Sequence, residues 1–168
     1  MPQAETAATS VLRILDENGV SHVFGVPGGP LLALYEALAD SQALTSVLAK
    51  HEEGAAFMAQ GHAQVSGRLG VVCATTGPGA TNALTAVASA NADGVPLLMI
   101  SGQAARDVAG MGSLQDSSGG NWSMDLVDVF RTVTKLSTMV VSAARLPSLL
   151  EHAIRTAISC SRSGSRPS

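Results

Sequence analysis

The chain has 168 residues, enough for one domain with one good core; 46% are hydrophobic but only 3% aromatic. That balance argues against a disordered chain and favours an α/β or all-α interior filled by Leu, Val and Ala. The formal charge is −3, with both signs scattered and no basic stripe, which speaks against a nucleic-acid partner.

In chain order, Val11, Leu12, Ile14 and Leu15 give residues 6–17 a helical period, stopped by Asn18-Gly19. Val20–Val26 reads as a strand ended by Pro27-Gly28-Gly29, followed by a helix over 31–39 and a strand around 46–48. Residues 52–66 are rich in Ala and Met and read as helix closed by Gly67, with a compact apolar strand over 69–74. A glycine turn over 75–79, a helix over 80–90 and a fourth strand over 96–100 follow. Residues 102–123 form one long loop, a short helix is expected over 126–130, and a last strand over 139–141. Leu146, Leu149, Leu150, Ala153, Ile154, Ala157 and Ile158 mark a final amphipathic helix with Pro147 near its start.

Apolar strands alternating with helices imply an α/β fold, a parallel sheet with helices on both faces. The expected form is a flavodoxin-like three-layer arrangement of about six strands. One domain would occupy 1–159, and the Ser-, Arg- and Gly-rich residues 160–168 read as a disordered tail. The start carries no basic segment leading into an apolar stretch, and no apolar run approaches the ~18 residues of a membrane span. A cytoplasmic protein without a membrane partner is expected. Cys73 and Cys160 show no metal-type spacing, and no metal site is expected on this chain.

In a parallel sheet ligands bind beyond the carboxyl ends of the strands, where every glycine turn falls. The segments that stand out are Phe24–Gly29 (FGVPGG), His51–Gly67 (HEEGAAFMAQGHAQVSG), Thr75–Asn82 (TTGPGATN), Gly94–Gln103 (GVPLLMISGQ), Leu114–Asp116 (LQD) and Val133–Lys135 (VTK). Singly each is weak: GPGATN could be any anion-cradling turn at a helix start, and it is neither a dinucleotide fingerprint nor a P-loop. In this order and spacing they resemble the thiamine diphosphate enzymes, acetolactate synthase most closely, over residues 10–159.

The resemblance implies the pyrimidine-binding domain of a decarboxylating lyase or synthase acting on a 2-oxo acid. Glu52 matches the acid that pairs with N1′ of the aminopyrimidine, a role that needs burial to let the carboxyl share a proton. Pro27, Gly28, Pro78 and Asn82 match positions around that ring, and Gln115 matches an active-site glutamine. Plainer readings stand beside these. Glu52 could only complement a helix dipole, Pro27-Gly28-Gly29 only turn the chain, and Asn82 only satisfy helix-end backbone. Glu53 reads as a dipole acid, His51 as a local hydrogen-bonding residue, and Lys135 as either a family position or a solvated lysine. His22, His62 and His152 read as ordinary surface or helix residues.

Leu114 stands where the family has Phe, and 117–125 (SSGGNWSMD) is added, so the acceptor substrate stays open. The family's middle domain, which can hold FAD, and its diphosphate-binding domain, which holds Mg2+, are expected to be absent. Ala92-Asp93-Gly94 with Asn121 imitates the metal motif but lies between a helix and a strand, and is set aside. A partner domain or subunit, and a homo- or hetero-oligomer, are implied. Two other readings remain: a catalytically silent fragment that serves as an interaction module, and a generic flavodoxin-like nucleotide binder.

Overall fold

The structure, a computed structural model, describes residues 5–159. Helix α1 (Ala7–Glu17) starts at Thr6, whose hydroxyl accepts from the Thr9 amide while the Thr9 hydroxyl accepts from the Thr6 amide. Its apolar stripe is buried, and the chain leaves through Asn18 and Gly19, the latter at φ +75°. Strand β1 (His22–Gly25) leads through a 3-10 turn into α2 (Leu32–Asp40), then β2 (Thr45–Leu48) and α3 (Glu52–Ser66). Next come β3 (Gly70–Ala74), α4 (Pro78–Asn82), α5 (Leu84–Ala92) and β4 (Leu97–Ser101). After the long loop, α6 (Leu126–Arg131) and α7 (Leu146–Ser159) complete the described chain.

The strands form one parallel sheet in the order β2-β1-β3-β4. Every residue of β3 is buried, as a central parallel strand covered on both faces must be. One face carries α1, α2 and α7 over Ile14, Leu15, Val71 and Ile154; the other carries α3, α5 and α6 over Ala55, Ala59, Val72 and Phe130. The three-layer α/β/α arrangement expected from the sequence is present, with strands in the flavodoxin-like order.

Three details differ from expectation. The helix expected over 80–90 is two helices broken at Ala83. The sheet has four strands among the described residues rather than about six. Residues 139–141, β-branched and apolar enough to suggest a strand, pair with no strand among the described residues, and Met139 and Val140 line a cleft with residues of β4. The tail expected over 160–168 lies outside the described residues.

Helix α3 lies close against β3. Ala55, Ala56 and Ala59 turn toward the sheet with no exposed surface, and Ala63 almost none. Gly70 completes the fit, since a Cβ there would collide with the Ala59 carbonyl. Gly61, in the same helix, faces open space. Gly70→Ala should therefore cost about 1–3 kcal/mol by overpacking. Gly61→Ala should add about 0.5–1 kcal/mol by removing helix-interior glycine. Urea titration of the two variants should show these opposite signs.

Candidate functional site

The chain leaves β1 toward β2 on one side and later enters β3 on the other, so a crevice opens at the carboxyl ends of β1 and β3. Two loops meet there. A Cβ on Gly28 would stand 2.5 Å from Thr75 Cβ and 2.6 Å from its Oγ1, so only glycine lets the first loop lie this close to the second. Gly77 turns the second loop at φ +63° and ψ −119°, outside the range open to L side chains, and Pro78 then starts α4. Pro27 lies on the exposed rim of the first loop and Pro78 on that of the second.

Glu52 opens α3, where His51 Nδ1 accepts from the Glu53 amide at 3.3 Å. The Glu52 side chain points inward and is 9% exposed. Asn82 Nδ2 donates to its Oε2 at 2.9 Å, while Oε1 would lie 3.0 Å from a Cβ on Gly79. The same Cβ would lie 2.5 Å from Thr75 Cγ2. Glu52, Asn82, Gly79 and Thr75 thus converge, and no Lys or Arg pairs with Glu52 among the described residues. Thr75 Oγ1 is buried with no hydrogen-bond partner, a donor left available at the crevice.

Gln115 lies on the other side of the Gly77 turn, held at φ +59°, with its carbonyl oxygen 3.1 Å from where a Gly77 Cβ would sit. No hydrogen bond joins it to Glu52. The dependence of this placement on Gln103 was not foreseen. Gln103 Oε1 accepts from the Ala104 amide at 2.8 Å and from the hydroxyls of Thr76 and Ser117 at 3.3 and 3.2 Å, while Nε2 donates to the Ser117 carbonyl at 3.0 Å. Thr76 and Ser117 are 1% exposed and hydrogen-bond each other. One half-buried amide thus ties the glycine turn to the loop that bears Gln115. Its only sequence signal is a glutamine just past the end of a strand.

Further along that loop, hydrogen bonds from Ser118, together with the Gly110 and Gly112 amides, hold the Asp116 carboxyl below the usual carboxylate range. Lys135 lies elsewhere and donates to the Ala157 carbonyl at 3.4 Å near the end of α7. Asp93 accepts from Gln60 at 3.0 Å, which gives Ala92-Asp93-Gly94 a structural task. On β1 His22 stacks with Phe24, and the His62 ring of α3 lies tilted against both; burial, with His22 second, lowers the His62 pKa. No three His, Cys, Asp or Glu side chains lie close enough to hold a metal among the described residues. No described helix is long and apolar enough to cross a membrane.

The profile of the family "Thiamine pyrophosphate enzyme, N-terminal TPP binding domain" matches residues 5–122. The chain belongs to this family. It is 40% identical over 157 residues to an acetolactate synthase of Mycobacterium bovis, covering 94% of this chain and 24% of that protein. Against acetolactate synthase isozyme 3 large subunit of Escherichia coli the identity is 40% over 154 residues, 92% of this chain and 26% of the relative. The mitochondrial acetolactate synthase catalytic subunit of Saccharomyces cerevisiae matches at 40% over 146 residues, 87% and 20% of the two chains. The chain thus spans about a quarter of the length of these relatives.

Behind the crevice, burial pushes the Cys73 thiol up to about 12 from an ordinary 9.0. The folded state favours the neutral thiol, so its contribution is complete below pH 9 and is lost as pH rises toward 12. Between those limits stability should fall by an extra ~1.4 kcal/mol per pH unit, a slope that Cys73→Ala should remove in alkaline urea titrations. Gln103→Ala should leave the sheet intact but free residues 102–123, measured as faster amide exchange at Ser117 and quicker proteolysis in the loop.

Proposed function

We propose that this chain is the half of a thiamine diphosphate enzyme that grips and activates the cofactor's aminopyrimidine, within an acetolactate synthase-like decarboxylating lyase or synthase. The observation that carries the reading is Glu52, a buried carboxyl at a helix start. It has one oxygen committed to Asn82, the other turned toward Gly79, and no cation beside it.

The fit to the group rests on three features of the crevice. Gly28 and Gly79 are the two places where a Cβ would fill the space beside Thr75. Thr75 Oγ1 is a buried polar atom with no partner. Glu52 offers the carboxyl that a ring nitrogen requires. In this reading Glu52 holds a proton against N1′, and Asn82 fixes the carboxyl by donating to Oε2. Pro27, Gly28 and Pro78 would line the ring. When bound, the cofactor supplies the electron sink for decarboxylation of a 2-oxo acid. The chain's part is to orient the ring, exclude water around Glu52 and hold the proton at its carboxyl. Gln115, across the Gly77 turn, faces the substrate in this reading.

The described residues offer no donor set for Mg2+. In this reading magnesium and the diphosphate are held by a separate diphosphate-binding domain or subunit, and FAD, where used, by a middle domain. A docking surface for such a partner is available: Met111, Leu114 and Trp122 on the long loop are all largely exposed, Trp122 completely. Exposed apolar side chains on one loop favour a covered state.

The test is reconstitution of decarboxylation or carboligation with a diphosphate-binding partner. The wild-type mixture should turn over, Glu52→Gln should lose at least about 100-fold in kcat, and full activity in that variant would sink the reading. Trp122, the chain's single tryptophan, should shift its fluorescence to shorter wavelength as the partner docks. The chain alone should hold thiamine diphosphate weakly.

A further inference from the structure

Two metal-capable side chains take no part in the crevice. His22 is the first residue of β1, and His62 lies toward the end of α3. Helix α3 begins at the carboxyl end of the sheet with Glu52 and runs back until Ala59 meets Gly70, the first residue of β3. The two histidines therefore meet at the amino end. Side chains alternate along a strand, which puts His22 on the same face as Phe24, the face that α3 covers. The His62 ring centre lies 5.0 Å from that of His22 and 5.7 Å from that of Phe24, tilted against both.

Two imidazoles on one metal ion, at N–metal distances of ~2.1 Å and angles between square and tetrahedral, hold their ring centres roughly 4.6–5.3 Å apart. The observed 5.0 Å falls inside that range. Lone pairs are available as well. His22 Nδ1 and the Ser21 hydroxyl share a 2.9 Å hydrogen bond. With the proton on Nδ1 and donated to Ser21, Nε2 keeps its lone pair, as in histidines that an outer hydrogen bond orients toward a metal. Among the described residues no hydrogen bond engages His22 Nε2 or either ring nitrogen of His62. Burial, then the nearness of His22 and of Arg68, lowers the His62 pKa and favours the neutral ring that a ligand must be. Both residues are half-buried, so water reaches the pair and can complete a coordination shell.

We infer that His22 and His62 form a two-histidine site for a divalent transition metal of the Zn2+, Ni2+ or Cu2+ class, which clips the far end of α3 to β1. Imidazole selects such ions over Mg2+, which prefers oxygen ligands. No third His, Cys, Asp or Glu joins the pair among the described residues, so water fills the other positions. Arg68, exposed and acting on His62, opposes a bound cation and keeps the site weak. A weak link between elements distant in sequence stabilises the fold by mass action and performs no chemistry. The pair lies at the end of the sheet away from Glu52, so the inference does not depend on the cofactor reading.

The experiment uses the whole untagged chain as Cys160→Ser, which removes the one thiol besides buried Cys73. Ni2+ and Zn2+ are titrated by calorimetry, and Ni2+ is followed by NMR. Ni2+ should broaden the amide signals of residues 21–23 and 61–63 and leave α7 sharp. Replacing either His22 or His62 by Ala should weaken binding of both ions at least about tenfold, whereas His152→Ala should leave it unchanged. Zn2+ should raise the melting temperature with concentration, far less so in His62→Ala, and Mg2+ should raise neither. Titrations that do not saturate, broadening centred elsewhere, or affinity that survives loss of either histidine overturn the inference. Equal stabilisation by Mg2+ overturns it too, because imidazole ligation would then not be the cause. The broadening is read on the intact pair, so it decides even where a variant folds poorly.

Discussion

The depth to which α3 sinks onto the sheet governs the rest of this molecule. Alanines at successive turns, and a glycine beneath them, let the helix axis come closer to β3 than any larger side chain would permit. That approach brings Glu52, the first residue of the helix, down into the crevice rather than leaving it at the rim. The favourable dipole at a helix start would be satisfied by an acid in water. Burial of Glu52 with a single donor to one oxygen comes from tertiary packing, and the partnering Asn82 from a different strand-helix unit.

The site is thus assembled from neighbours of three parallel strands, and its precision depends on short links between their loops. Gly28 against Thr75, Gly77 against Gln115, and Gln103 across Thr76 and Ser117 are such links. Each either removes a side chain so that two backbones can meet, or inserts one half-buried amide that satisfies several groups at once. Networks of the second kind are sensitive, because a lost partner leaves buried donors and acceptors exposed to no water.

Much of this was readable in the sequence, for a definite reason. Helices with a clean period, such as those over 7–17 and 146–159, advertise themselves because burial selects their apolar faces residue by residue. That the loops bearing Gly28 and Thr75 would meet was readable because strand-end loops of a parallel sheet have one place to meet, whereas the grouping of Glu52 with Asn82 was implied only by the family resemblance. Positions decided by what lies alongside in space were not readable. Residues 139–141 have strand chemistry but no neighbouring strand among the described residues. Ala83 breaks a helix in a run where every residue tolerates one. Gln103 earns its role from residues on a loop whose path local patterns do not set. The ring partners of His22 and His62 were hidden in the same way, one on a strand and one on a helix.

The conformation of Gly77 carries a genetic consequence. Its φ and ψ lie where a residue without Cβ rests, and a Cβ there would stand a tight 3.1 Å from the Gln115 carbonyl oxygen across the turn. Every missense change reachable from a glycine codon by one base adds a side chain. This codon therefore has no neutral missense neighbours, and variation in the gene should avoid it even where the surrounding loop drifts.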